Sequence, residues 1–145
     1  MGRLRAGELL ALAGAGCAIV SLLVPDYEGP TTGALDAWDA FGAGVALLLA
    51  ATVAALCLFL ATLNEHSTAL PVAAAVWTVL LGLLASIAAI VRVLKRPDHA
   101  TAVCSGAWLA LVGALAILLG AWLSLRDERR SRYLPARPPI RPAPR

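Results

Sequence analysis

Residues 103–125 read VCSGAWLALVGALAILLGAWLSL, 23 residues without an ionisable group, and they run directly into RDERRSR at 126–132. A helix rises about 1.5 Å per residue and a bilayer's hydrocarbon core is about 30 Å thick, so this run has the length of a membrane span. The basic cluster behind it has the character of a cytoplasmic stop. Within the run, Gly106, Ala110, Gly113, Ile117, Gly120 and Ser124 recur at alternating steps of four and three, which lines mostly small side chains along one helix face. Such a face lets a second helix approach closely.

The remainder of the chain agrees. Of 145 residues, 60% are hydrophobic and 14% charged, and mean hydropathy is +0.80. That leaves too little polar surface to close around a soluble core, so the predicted solvent is lipid. The net charge is +3, but the basic residues sit at span ends and in one tail, a pattern of topology rather than of a nucleic-acid surface. Cys17, Cys57 and Cys104 lie singly in or beside apolar runs without C-x-x-C spacing, as small packing residues do.

Three further spans are predicted, at about 6–24, 40–63 and 71–93. The first, AGELLALAGAGCAIVSLLV, follows Arg3 and Arg5 and stops at Pro25. A lipoprotein signal ending at Cys17 is the rival reading. Against it stand Gly14, Glu8 within the apolar run, and seven more apolar or small residues after the cysteine. The loop 25–40, PDYEGPTTGALDAWDA, carries Asp26, Glu28, Asp36 and Asp39 and no basic residue. Asp36 and Asp39 suit a helix start, one as cap and one in the first turn, which places the second helix's beginning beside Trp38. Asp36, Trp38 and Asp39 are the candidate extracytoplasmic contact residues; Trp38 and Phe41 also suit an aromatic anchor at the headgroups.

Small residues recur at the same alternating spacing in the other spans: Gly7, Ala11, Gly14, Ala18 and Ser21 in the first, and Ala75, Thr78, Gly82, Ala85 and Ala89 in the third. In the second, Ala43, Ala46, Ala50, Ala54, Cys57 and Ala61 are expected on the packed side. This period predicts left-handed packing near +20°. Alanine is abundant, 31 of 145 residues, so the glycines carry more weight. Gly14, Gly82, Gly106, Gly113 and Gly120 are the candidate packing residues, because each costs a helix about 0.8–1 kcal/mol relative to Ala unless close backbone approach offsets it.

The two tails hold nine Lys and Arg, against three, Arg92, Lys95 and Arg96, in the loop after the third span. Both termini are therefore predicted cytoplasmic, and those three bases face the first loop's acids across the outer surface. The two loops are expected to pair there through exposed ion pairs worth about 0–1 kcal/mol each, with Arg92 and Glu8 reaching water from their span edges. Residues 129–145 are predicted to be a disordered, Pro-rich basic cytoplasmic tail that hugs anionic lipid.

Several stretches resemble a family of small, uncharacterised four-helix integral membrane proteins of high-GC Gram-positive bacteria. These are RAGELLALAGA (5–15), AWDAF (37–41), LPVAAAV (70–76) and GAWLALVGALAILLGAWLSLRDE (106–128). Relatives of that kind often carry an aromatic after the first span's proline and a Glu in AW-x-AF; this chain has Asp26 and Asp39 there. The resemblance covers residues of about 4–128, within a four-span transmembrane domain placed at 1–128, and carries no activity with it.

Chemistry is expected to be absent. No ionisable group falls at mid-span, His66 and His99 are far apart, and neither a nucleophile–base set nor a glycine-rich phosphate loop can be assembled. The reading is an all-α, four-span up-and-down bundle in the plasma membrane, without cofactor or metal. Its expected role is that of a non-enzymatic structural or accessory subunit contacting other membrane proteins or its own copies. A small-solute or ion conduit formed by an oligomer is the alternative, and a sensor reading a ligand through the 25–40 loop is the third.

Overall fold

A computed structural model describes residues 6–29, 33–35, 37–63, 69–95 and 102–132. In chain order these form α1 (Ala6–Ser21), β1 (Tyr27–Gly29), β2 (Gly33–Leu35), α2 (Ala37–Leu63), α3 (Ala69–Leu94), β3 (Ala102–Val103) and α4 (Ser105–Arg132). The helices make a bundle in which α4 lies between α1 and α3, and α2 closes the ring against both. Gly7 of α1 sits beside Gly120 and Ser124 of α4, and Gly14 beside Gly113 and Ile117, so these neighbours run antiparallel.

Three helices are long and apolar enough to cross a membrane, over Gly42–Leu63, Val72–Leu94 and Ser105–Asp127. The first predicted span is shorter: α1 has 16 residues and ends at Ser21, not at residue 24. Its chain tightens there, with Leu22 N–H donating to Ile19 O (3.1 Å) and Leu23 N–H to Val20 O (3.0 Å). The Ser21 hydroxyl takes the Ala18 carbonyl at 2.7 Å, competing with helix continuation. α4 overruns its predicted end at 125 and stays helical through Arg132, into what was expected to be the disordered tail. Arginine and glutamate are good helix formers, and the first proline beyond them is Pro135.

Size, not polarity, sorts the side chains. The core is built from Ala11, Ala15, Ala18, Ala51, Ala55, Ala85, Ala110 and Ala114 with Leu48 and Ile117, and a second cluster joins Leu58, Ala75 and Ala121. Outward face Leu9, Ile19, Val53, Leu60, Trp77, Leu80, Ile87, Trp108, Val112, Leu119 and Trp122, all more than two-fifths exposed. A bundle folding in water does the reverse.

The seams explain the small core. A Cβ added to Gly14 would lie 2.7 Å from Ile117 N and 2.8 Å from Gly113 O; one added to Gly7 would lie 2.6 Å from Gly120 O. Thus α1 and α4 meet backbone to backbone, with Gly7, Gly14, Gly113 and Gly120 at the crossing points. Gly82 is looser, 3.2 Å from the Leu118 backbone of α4. Thr78 joins α3 to α2, its hydroxyl bonding Ala74 O (2.7 Å) and Ala54 O (3.1 Å), while Thr52 and Ser86 bond their own helices at Leu48 O and Gly82 O.

On α2 the predicted ladder is on the wrong side. Ala43, Ala46 and Cys57 are exposed and Ala50, Ala54 and Ala61 only half-buried. The buried side consists of Val45, Leu48, Ala51, Thr52, Ala55 and Leu58. There α2 sets larger side chains among alanines of its neighbours, as in the cluster of Leu58 with Ala75 and Ala121.

The predicted loops contain an unforeseen sheet of order β2-β1-β3, antiparallel throughout. Tyr27 pairs with Leu35 in β2 and with Val103 in β3, so this small sheet ties the exit of α1 to the entrance of α4.

Candidate functional site

The sheet end of the bundle holds a group of buried polar side chains. Pro25 ends the turn after α1, and the next two residues lace onto α4: Cys104 N–H donates to Asp26 O (2.8 Å) and Gly106 N–H to Pro25 O (3.3 Å). These bonds occupy donors at the start of a helix, where the N–H groups have no partner of their own. They also turn the Asp26 side chain inward, where it is fully buried and forms an ion pair with Arg92 from the last turn of α3. The carboxylate thereby lies at α4's N-terminus, where the helix dipole favours negative charge.

Tyr27 completes the group. It is fully buried, and its hydroxyl donates to Arg92 O at 2.5 Å, one of the last four carbonyls of α3. Burial pushes the Tyr27 phenol up to about 12, so the hydroxyl keeps its proton at any physiological pH. Three residues, Asp26, Tyr27 and Arg92, thus join the end of α1, the end of α3 and the start of α4. Chemically the group is a clamp: a neutralised ion pair and a protonated phenol.

Gly106 belongs here and not to the helix seam for which it was a candidate. A Cβ on it would fall 2.5 Å from Asp26 Oδ1, 2.6 Å from Val24 O and 2.8 Å from Pro25 O. Its lack of a side chain admits the 24–26 segment, whereas Gly14, Gly113 and Gly120 admit another helix.

The expectation of exposed pairing between the two loops needs correction. The Asp26–Arg92 pair forms, but it is buried, with Arg92 only 4% exposed, so neither partner reaches water. Glu8 likewise is 5% exposed on α1, at the other end of the bundle. Of the predicted contact residues, Asp36 lies outside the described residues; Trp38 and Asp39 lie in the first turn of α2, with side chains outside the description. The basic residues beyond 132 also lie outside it. Tyr27 was not singled out by sequence. The available signal was an arginine in the last turn of an apolar helix, where burial calls for an acid and further hydrogen-bond partners nearby.

All three cysteines are free, and no group of His, Cys, Asp and Glu that could hold a metal occurs among the described residues. Comparison of the chain with protein-family models, curated proteins and solved structures gives no match.

Proposed function

We propose that the chain is a four-span integral membrane protein of the plasma membrane with both termini cytoplasmic. It acts as a non-enzymatic structural or accessory subunit that binds other membrane proteins or its own copies. The observation that carries this is the inverted sorting of side chains, alanine and glycine inside and leucine, isoleucine and tryptophan outside, which only an apolar solvent rewards. α1 serves as the fourth span. Its 16 residues cover about 24 Å, and Leu22 to Val24 extend the apolar stretch toward the sheet.

Antiparallel neighbours with small residues at the crossings suit left-handed packing near +20°. The basic tails set the orientation, which puts the clamp and sheet outside. The expected likeness to small four-helix proteins of high-GC Gram-positive bacteria fits this reading. A helix-to-helix core filled by alanine supports a scaffold role, because the side chains available for recognition face outward along the spans.

Crosslinking followed by mild-detergent pull-down from native membranes tests the role. A reproducible stoichiometric partner, or the chain's own copies, is the expected result. Recovery of isolated monomers only contradicts it. Selective solute flux in reconstituted vesicles would replace it with the conduit reading.

A further inference from the structure

The end of the bundle opposite the clamp carries two tryptophans at one depth. Gly82 of α3 packs on Leu118 of α4. From that crossing, five residues back along α3 reach Trp77 and four residues forward along α4 reach Trp122. The antiparallel helices therefore place the two residues within about 1.5 Å of each other along the bundle axis. Both project outward, 64% and 50% exposed. One turn beyond Trp122, the exposed Arg126 lays its guanidinium over the Trp122 ring, 5.6 Å from the centroid.

Ser105 to Leu125 spans about 31 Å, close to the hydrocarbon thickness of about 30 Å, so Arg126 stands where the headgroup layer begins. α4 continues as helix to Arg132. Residues 126–132 carry four arginines against Asp127 and Glu128, a net charge of +2.

We propose that this end of α4 is a docking surface for the phosphate of an anionic phospholipid. Arg126, held on the Trp122 ring, is the phosphate-facing group, and Trp77 and Trp122 fix the depth at which it meets the headgroup. A guanidinium can engage two phosphate oxygens at once, and stacking on an indole limits the conformations it must give up to do so. The proposal rests on the membrane reading above. It adds a lipid of one charge class and the side chains that select it.

The test uses the full chain in nanodiscs of equal parts phosphatidylcholine and phosphatidylglycerol. Lipids retained after mild release are counted by native mass spectrometry. Wild type should retain phosphatidylglycerol in excess. Arg126→Gln should lower that excess about fivefold, the equivalent of the about 1 kcal/mol an arginine is worth near an anionic surface. Trp122→Leu, which keeps the charge, should lower it by a smaller factor. Equal retention of both lipids by the embedded wild type, or an Arg126→Gln profile identical to wild type at unchanged helicity, overturns the proposal alone. A chain that fails to enter the bilayer overturns the membrane reading and this one with it.

Discussion

The α1–α4 seam and the sheet-end clamp hold helices together by opposite means, the seam joining α1 to α4 and the clamp tying the exit of α1 to the end of α3 and the start of α4. Along the seam, Gly7, Gly14, Gly113 and Gly120 remove side chains so that backbones touch, and the attraction is dispersion spread over many atoms. At the clamp, Asp26, Tyr27 and Arg92 add polar groups, and the attraction is concentrated in one ion pair and a few hydrogen bonds. The difference teaches where each device works. Dispersion between close backbones survives in an apolar solvent, where polar groups are expensive, whereas the clamp sits at a bundle end beside a small sheet.

Damage should therefore be abrupt at the clamp and graded along the seam. Arg92→Met leaves the Asp26 carboxylate buried without its counter-ion and should destabilise by about 3–5 kcal/mol in thermal unfolding in detergent micelles. The double variant Asp26→Leu with Arg92→Met should recover most of that loss. A double variant as unstable as the single one would show that the pair is not the seat of the effect.

Next in size, Gly14→Ala forces a methyl into the α4 backbone and should cost about 1–3 kcal/mol by overpacking, despite alanine's better helix propensity. Gly82→Ala, with its 3.2 Å clearance, should cost distinctly less. Equal melting temperatures for these two variants would argue against a tight α1–α4 contact.

Tyr27→Phe should cost about 1 kcal/mol, the hydrogen bond to Arg92 O. It should also change the alkaline limb of stability. The folded pKa of about 12 stands above the ordinary value of 10.0, so Tyr27's stabilising contribution is complete below about pH 10 and is lost as pH rises toward 12. Unfolding midpoints measured from pH 9 to 12 should fall more steeply in wild type than in Tyr27→Phe. Parallel curves would remove Tyr27 from the clamp.

Smallest and opposite in sign is Gly16→Ala. Gly16 is exposed, with open space where a Cβ would go, so the variant should gain up to about 1 kcal/mol of helix stability. Destabilisation there would reveal a contact on α1's outer face.

Sequence reading placed the buried faces of α1, α3 and α4 correctly because each carries a continuous row of small residues at 3.5-residue spacing. α2 was not legible in this way. It is apolar all round and has alanines on both sides, Ala51 and Ala55 inward and Ala43 and Ala46 outward, so size alone could not orient it. The sheet escaped because its strands are two and three residues long and β1–β3 pairing joins segments some 75 residues apart. Opposite charges on the two loops signalled that they could meet. Burial of that meeting depends on Gly106 admitting the 24–26 segment, a contact no spacing rule encodes.

Spin labels at Val53, Leu80 and Leu115, all outward-facing, test the inverted sorting most directly in reconstituted vesicles. Dissolved oxygen, which concentrates in lipid, should relax all three labels, and a water-soluble nickel chelate should leave them unaffected. Strong relaxation by the chelate at these positions would mean that water, not lipid, covers the large side chains, and the inside-out bundle would have lost its reason to fold.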